Sequence, residues 1–131
     1  MIPHELRVLL GRVWKRPLMF FHDEDSLLSS VHGLINGYCY ARDEASAFCS
    51  IVNGREGAFP GSTFTRYLQS EHSFPPGMGA DWVSLIRDRH GSDYQALDAF
   101  FDYLNQFLSE NGAVTIERGE QDAAGQPATS P

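Results

Sequence analysis

The stretch KRPLMFFHDEDSLLS, residues 15–29, sets His22, Asp23, Glu24 and Asp25 side by side. An imidazole beside three carboxylates has the right atoms for a metal site or for acid–base work. Adjacent residues on an extended segment point in different directions, however, and zinc sites gather ligands from separated positions. The chain holds no H-x-x-x-H, H-E-x-x-H or E-x-x-H pattern to complete such a set. The same acids standing before an apolar helical run have a simpler use. They accept from free backbone N–H groups and complement the helix dipole, each contributing about 0.3–1 kcal/mol. They read first as helix caps, and second as an acidic patch open to a partner.

The remaining reactive side chains form no motif. His4, His32, His72 and His90 neighbour no cysteine. Asp98 and Asp102 stand one helical turn apart, as an acid–base pair would. They fall opposite Leu97, Phe101 and Leu104, which makes them a solvated face. GREGAFPG and PPGMG are glycine-bearing loops without G-x-x-x-x-G-K-[ST], and G-x-S-x-G is absent. The sequence assigns no catalytic residue, no metal and no cofactor. A small hydrolase or metal-dependent enzyme would have to use His22 with Asp23, or His72 with Glu71.

The elements that carry these residues are mostly helical. Leu6, Leu9, Leu10, Val13 and Trp14 recur at helical spacing, predicting an amphipathic helix over 3–15 that Lys15, Arg16 and Pro17 end. Leu27, Val31, Leu34 and Tyr38 form the stripe of a second helix, with Leu28 and Ile35 beside it and Gly33 and Gly37 one turn apart. Short helices are expected around 47–52, stopping at Asn53-Gly54, from Phe64 through Leu68 capped by Ser62 or Thr63, and from Trp82 to His90 capped by Asp81. Ser92 and Gln95 make an S-x-x-Q capping box for the longest helix, whose Leu97, Phe101, Leu104 and Leu108 step by four, three and four until Asn111-Gly112 stops it. The fold expectation is a mostly α, compact single-domain bundle of about five to six helices with long Gly/Pro loops. Residues 1–112 form that domain, and 113–131 a flexible, disordered tail in which AVTIE supplies at most one short strand.

At 131 residues one domain is expected, burying roughly two thirds of its unfolded surface. The net charge of −7 argues against nucleic acid as a partner, since that affinity comes from Lys and Arg on phosphates. It suits a basic protein partner. The first 17 residues are broken by Glu5, Arg7 and Arg12, unlike a signal peptide, and no apolar stretch is long enough to span a membrane, so the cytoplasm is the expected location. Cys39 and Cys49 sit in apolar company and read as buried free thiols, with a disulfide as the alternative.

Loops carry function more often than helices do. Phe59, Phe74 and Met78 lie in the two Gly/Pro loops and are rimmed by Arg55, Glu56, Glu71 and His72. Asp43 and Glu44 follow the second helix, where negative charge opposes the dipole. With Asp23, Glu24 and Asp25 these residues are the candidate partner-binding set.

In chain order, KRPLMFF, SLLSSVHGLINGY, FTRYL and WVSLIRDRHGSDYQALDAFFDYLNQFL resemble a family of small bacterial proteins with a K/R-R-P-x-M-Y/F motif and a closing helix of A-x-x-x-FF type. Members occur among immunity proteins encoded beside polymorphic or contact-dependent toxins. The resemblance covers about residues 12–108, with Leu18 where a glycine is usual, Phe20 where tyrosine is common, and a poor match over 44–61. It implies structural roles for Arg16, Pro17, Met19, Tyr38, Trp82 and Phe101. The functional expectation is a non-enzymatic cytosolic immunity protein that neutralises a cognate toxin C-terminal domain by covering its active site or substrate access. An oligomeric adaptor with a self-interface is the other non-enzymatic reading.

Overall fold

The computed structural model describes residues 2–41, 64–75 and 82–119. Helix α1 (His4–Lys15) buries Leu6, Leu10, Gly11 and Val13, and carries Arg12 and Lys15 in its last turn, where cations suit the dipole. Pro17 cannot continue α1 and instead opens a 3-10 turn, Pro17–Met19, closed by N–H bonds from Phe20 and Phe21 to the Pro17 carbonyl at 3.0 and 2.9 Å.

Helix α2 (Leu27–Ala41) follows. Its buried line is Leu27, Val31, Ile35 and Cys39, with Leu28 alongside. Leu34 and Tyr38, expected on the main stripe, lie on its flank and are only partly buried. Cys39 is disulfide-bonded and not the expected free thiol; the only other cysteine, Cys49, lies outside the described residues.

Three further helices complete the described set: α3 (Phe64–Glu71), α4 (Trp82–Arg89) and α5 (Asp93–Glu110). No strand occurs among the described residues, and no helix there is long and apolar enough to cross a membrane. The helix expected around 47–52, and the caps expected from Ser62, Thr63 and Asp81, lie outside them.

The packing is organised by α5, which touches each of the other four helices. Its inward line is Leu97, Phe100, Phe101, Leu104, Phe107 and Leu108. Against it Phe100 stacks on Trp82 at 4.6 Å, and Phe64 meets Trp82 and Phe100 edge-on at 5.8 Å each. Such pairs add about 0.5–1.5 kcal/mol each beyond the area they bury. α1 is pinned separately: Trp14 stacks on Phe101 at 4.7 Å and donates its indole N–H to Asp98 at 2.8 Å.

The ends of α5 are set by short-range chemistry. Ser92 Oγ accepts from the Gln95 N–H at 3.2 Å while Gln95 Oε1 accepts from the Gly91 N–H at 3.1 Å, a reciprocal closure near the expected capping box. At the far end Gly112 takes φ +71°, and the Ala113 N–H returns to the Leu108 carbonyl at 2.8 Å. Residues 113–119 then run back over the helices. The Asn105 side chain engages both backbone groups of Ile116, at 2.7 and 2.9 Å, and Ile116 is buried. The Gly119 N–H reaches the Gly11 carbonyl at 2.9 Å, which straps α1 to α5.

Candidate functional site

The joint between α1 and α2 carries the first candidates. His22, Asp23, Glu24 and Asp25 are all exposed. Asp23 Oδ1 accepts from the Asp25 N–H at 2.9 Å, and its carbonyl accepts from Ser26 N–H at 3.2 Å, so the acids brace a local turn. They are not what caps the α2 N–H groups. The Leu28 N–H is instead taken by Asp93 Oδ2 at 3.3 Å, from the first turn of α5. Beside the acids, Leu18, Met19 and Phe20 are 48%, 70% and 42% exposed. Met19, expected to be structural, is the second most exposed of the large hydrophobic residues described, after Tyr40.

The second group lies where the segment after α3 packs on α4 and α5. Ser73 adopts φ +56°, turning the chain so that Phe74 is 2% exposed. Phe74, one of the candidate partner-binding residues, is therefore a core residue. Arg89 covers it, with its guanidinium 3.5 Å from the Phe74 ring centroid and its two terminal nitrogens donating to the His72 and Ser73 carbonyls at 2.8 and 3.0 Å. Glu71 is exposed. His72 is partly buried between Tyr67 and Tyr103, with ring centroids 5.2 and 4.8 Å away.

Tyr67 donates its hydroxyl hydrogen to Glu110 at 3.2 Å, so its contact with His72 Nε2 at 3.3 Å is satisfied by an Nε2–H tautomer. Burial first, then the Glu110 charge and hydrogen bond, then Glu71, push the Tyr67 phenol up to about 12. This array is internally paired and packed. Among the described residues no three His, Cys, Asp or Glu side chains converge in a way that could hold a metal ion.

No family model, curated protein or solved structure matches the chain. The site is therefore read from its own residues. Asp43, Glu44, Arg55, Glu56, Phe59 and Met78 lie outside the described residues; of the expected set, the structure describes Asp23, Glu24 and Asp25 at the joint and Glu71, His72 and Phe74 after α3.

Two surfaces were not singled out by the sequence. One is the exposed 18–20 turn. The other is a shallow open groove of about 500 Å³ on α5, lined by Asp102, Asn105, Gln106, Ser109 and Glu110. Its lining carries two carboxylates and no cation. Burial, and then the Asp98 charge one turn away, raise the Asp102 carboxyl above its ordinary value. Asp98 and Asp102 are the pair expected to be a solvated face; what spacing could not show is that a groove runs beside Asp102.

Proposed function

We propose that this protein is a non-enzymatic inhibitor, a cytosolic immunity protein that binds a cognate bacterial toxin domain and neutralises it by covering its active site or substrate access. The observation that carries this reading is the groove on α5. No cation lines it beside its two carboxylates, and burial, then the Asp98 charge, disfavours the charged form of Asp102. A lysine or arginine from a basic partner supplies the missing charge there, and the amide and hydroxyl groups of Asn105, Gln106 and Ser109 offer it further hydrogen-bond partners. The overall charge of −7 favours fast encounter with a basic cleft. The motif resemblance around residues 12–108 points to the same class.

The test is co-expression with the C-terminal domain of a toxin encoded beside this gene, scored by survival and by co-purification at moderate and high salt. Wild type should protect and co-purify. Asp102→Lys with Gln106→Lys should fold normally and lose protection, both positions being exposed. Full protection by that variant would remove the groove from the interface, and failure of wild type to bind the domain would end the immunity reading. The cytoplasmic location has its own check. Acid-quenched cells treated with iodoacetamide should show both cysteines labelled there, whereas protein folded in oxidising buffer should take up none until reduced.

A further inference from the structure

The 18–20 turn has an unusual setting. Leu18, Met19 and Phe20 are exposed in a row, whereas the other exposed large apolar residues described, Tyr40, Tyr94 and Val114, stand apart from one another in the chain. On one side of them in the chain stand Lys15 and Arg16, and on the other Asp23, Glu24 and Asp25, all exposed. No described residue forms an ion pair with any of these five. The Arg16 guanidinium donates to Met19 Sδ at 3.9 Å. An apolar centre thus lies between a cationic flank and an anionic flank, neither of them neutralised by a described residue.

Three occupants can be compared. Residues 120–131, EQDAAGQPATSP, contain no apolar side chain larger than alanine or proline, so they offer nothing to cover Met19 and Phe20. A basic partner would neutralise the acids and bring its own cations against Lys15 and Arg16. A second copy of this chain satisfies both flanks at once. A two-fold axis through the turn places each copy's Lys15 and Arg16 against the other's acids, which is the self-complementarity an isologous contact requires.

We infer that the turn at residues 17–20 is a self-association surface, on which two copies meet turn to turn with Leu18, Met19 and Phe20 at the centre and the opposite charges of 15–16 and 23–25 crossing over. The surface shares no residue with the lining of the α5 groove, so this inference stands or falls independently of toxin binding. Three apolar side chains with a charged rim lie at the small end of protein interfaces, so association is weak and depends on concentration. The crossing ion pairs make it weaken as salt is added.

Sedimentation velocity on the full chain, over a concentration series at low and high salt, reads this directly. Wild type should pass from monomer to dimer as concentration rises, and less readily in high salt. Met19→Asp should weaken association by about thirtyfold or more, the size expected for loss of a central anchor. Two charge variants give the decisive arm. Lys15→Glu with Arg16→Glu makes both flanks acidic, and Glu24→Lys with Asp25→Lys gives a predominantly basic turn; Asp23 is left in place because it braces the turn. Each variant alone should stay monomeric, and a mixture of the two should associate. A monomeric wild type at every concentration overturns the inference, as does a dimer that is indifferent to Met19→Asp or a charge-variant mixture that fails to pair. Helical circular dichroism of each variant separates a lost contact from a lost fold.

Discussion

Asp93 closes the N-terminus of a helix to which it does not belong. From the first turn of α5 its Oδ2 accepts the Leu28 N–H of α2 at 3.3 Å, while Oδ1 lies 3.6 Å from Arg87 Nε of α4. One carboxylate therefore ties three helices at the end of the bundle where α2 begins.

Replacing Asp93 with alanine removes the cap and strands a helix-terminal N–H in a partly buried place. A loss of about 1–2 kcal/mol is expected in urea unfolding. Asp93→Asn keeps an acceptor oxygen and should lose roughly half as much, because only the charge on the dipole and on Arg87 is gone. Equal losses for the two variants would show that hydrogen bonding to Leu28 contributes nothing.

Arg89 holds the segment after α3 by two hydrogen bonds to carbonyls and by its contact with Phe74. Arg89→Lys keeps the charge but loses the planar fork, and should cost about 1–2 kcal/mol. Ser73→Gly should act in the opposite direction, since φ +56° is unfavourable for serine and open to glycine; a gain of a few tenths to about 1 kcal/mol is expected, reduced by the added freedom of the unfolded chain. A destabilised Ser73→Gly would mean the turn is not strained.

Tyr67 predicts a signature in alkali. Its phenol is raised to about 12 in the folded chain, against 10.0 ordinarily. Between those values the unfolded chain gives up the proton and the folded chain keeps it, so the stabilisation present below pH 10 is lost progressively as pH rises towards 12. Ultraviolet titration should show one late-ionising tyrosine, and Tyr67→Phe should remove both that step and part of the alkaline loss. A titration in which every tyrosine ionises together contradicts the arrangement with Glu110.

Asp102 works against the fold at neutral pH. Its folded carboxyl is raised, so its protonated form is favoured in the native state. Whatever it contributes is present below the ordinary carboxylate value and is lost as pH climbs through the raised one. Asp102→Asn should accordingly raise Tm at pH 7 and have little effect in acid. If the α5 groove binds a cation from a partner, the same variant should weaken that complex while stabilising the free protein. A variant with unchanged Tm at both pH values would mean Asp102 is fully solvated.

Local chemistry made much of the fold legible. The Pro17 stop, the Ser92 and Gln95 closure and the Asn111-Gly112 stop depend on residues within a few positions of one another, and the helices they bound stand close to where periodicity put them. What depended on distant segments was not legible. Asp93 lies 65 residues from the N–H it caps, and the acids at 23–25 satisfied the local rule for the same job. The α2 stripe turned towards Ile35 and Cys39 because the position of α5 decides which side of that helix is covered. The Gly/Pro setting of Phe74 left its burial open, and Arg89, sixteen positions from Ser73, is what closes over it. Exposure of Met19 is likewise a statement about which segments fail to reach it, and spacing carries no such information. For the candidate site this means the chemistry of each residue could be named in advance, while which side chains remain open could not.

Because α5 touches every other described helix and the segment after it straps α1 in place, packing among the described helices stays incomplete until that segment has been made. Helices α2 and α3 can meet α4 earlier, but the faces that all four turn to α5 are covered only once α5 has been made. Sealing must wait until Ile116 and Gly119 are synthesised, so closure comes late. A message truncated before the final helix would yield a chain without the element on which every other described helix packs.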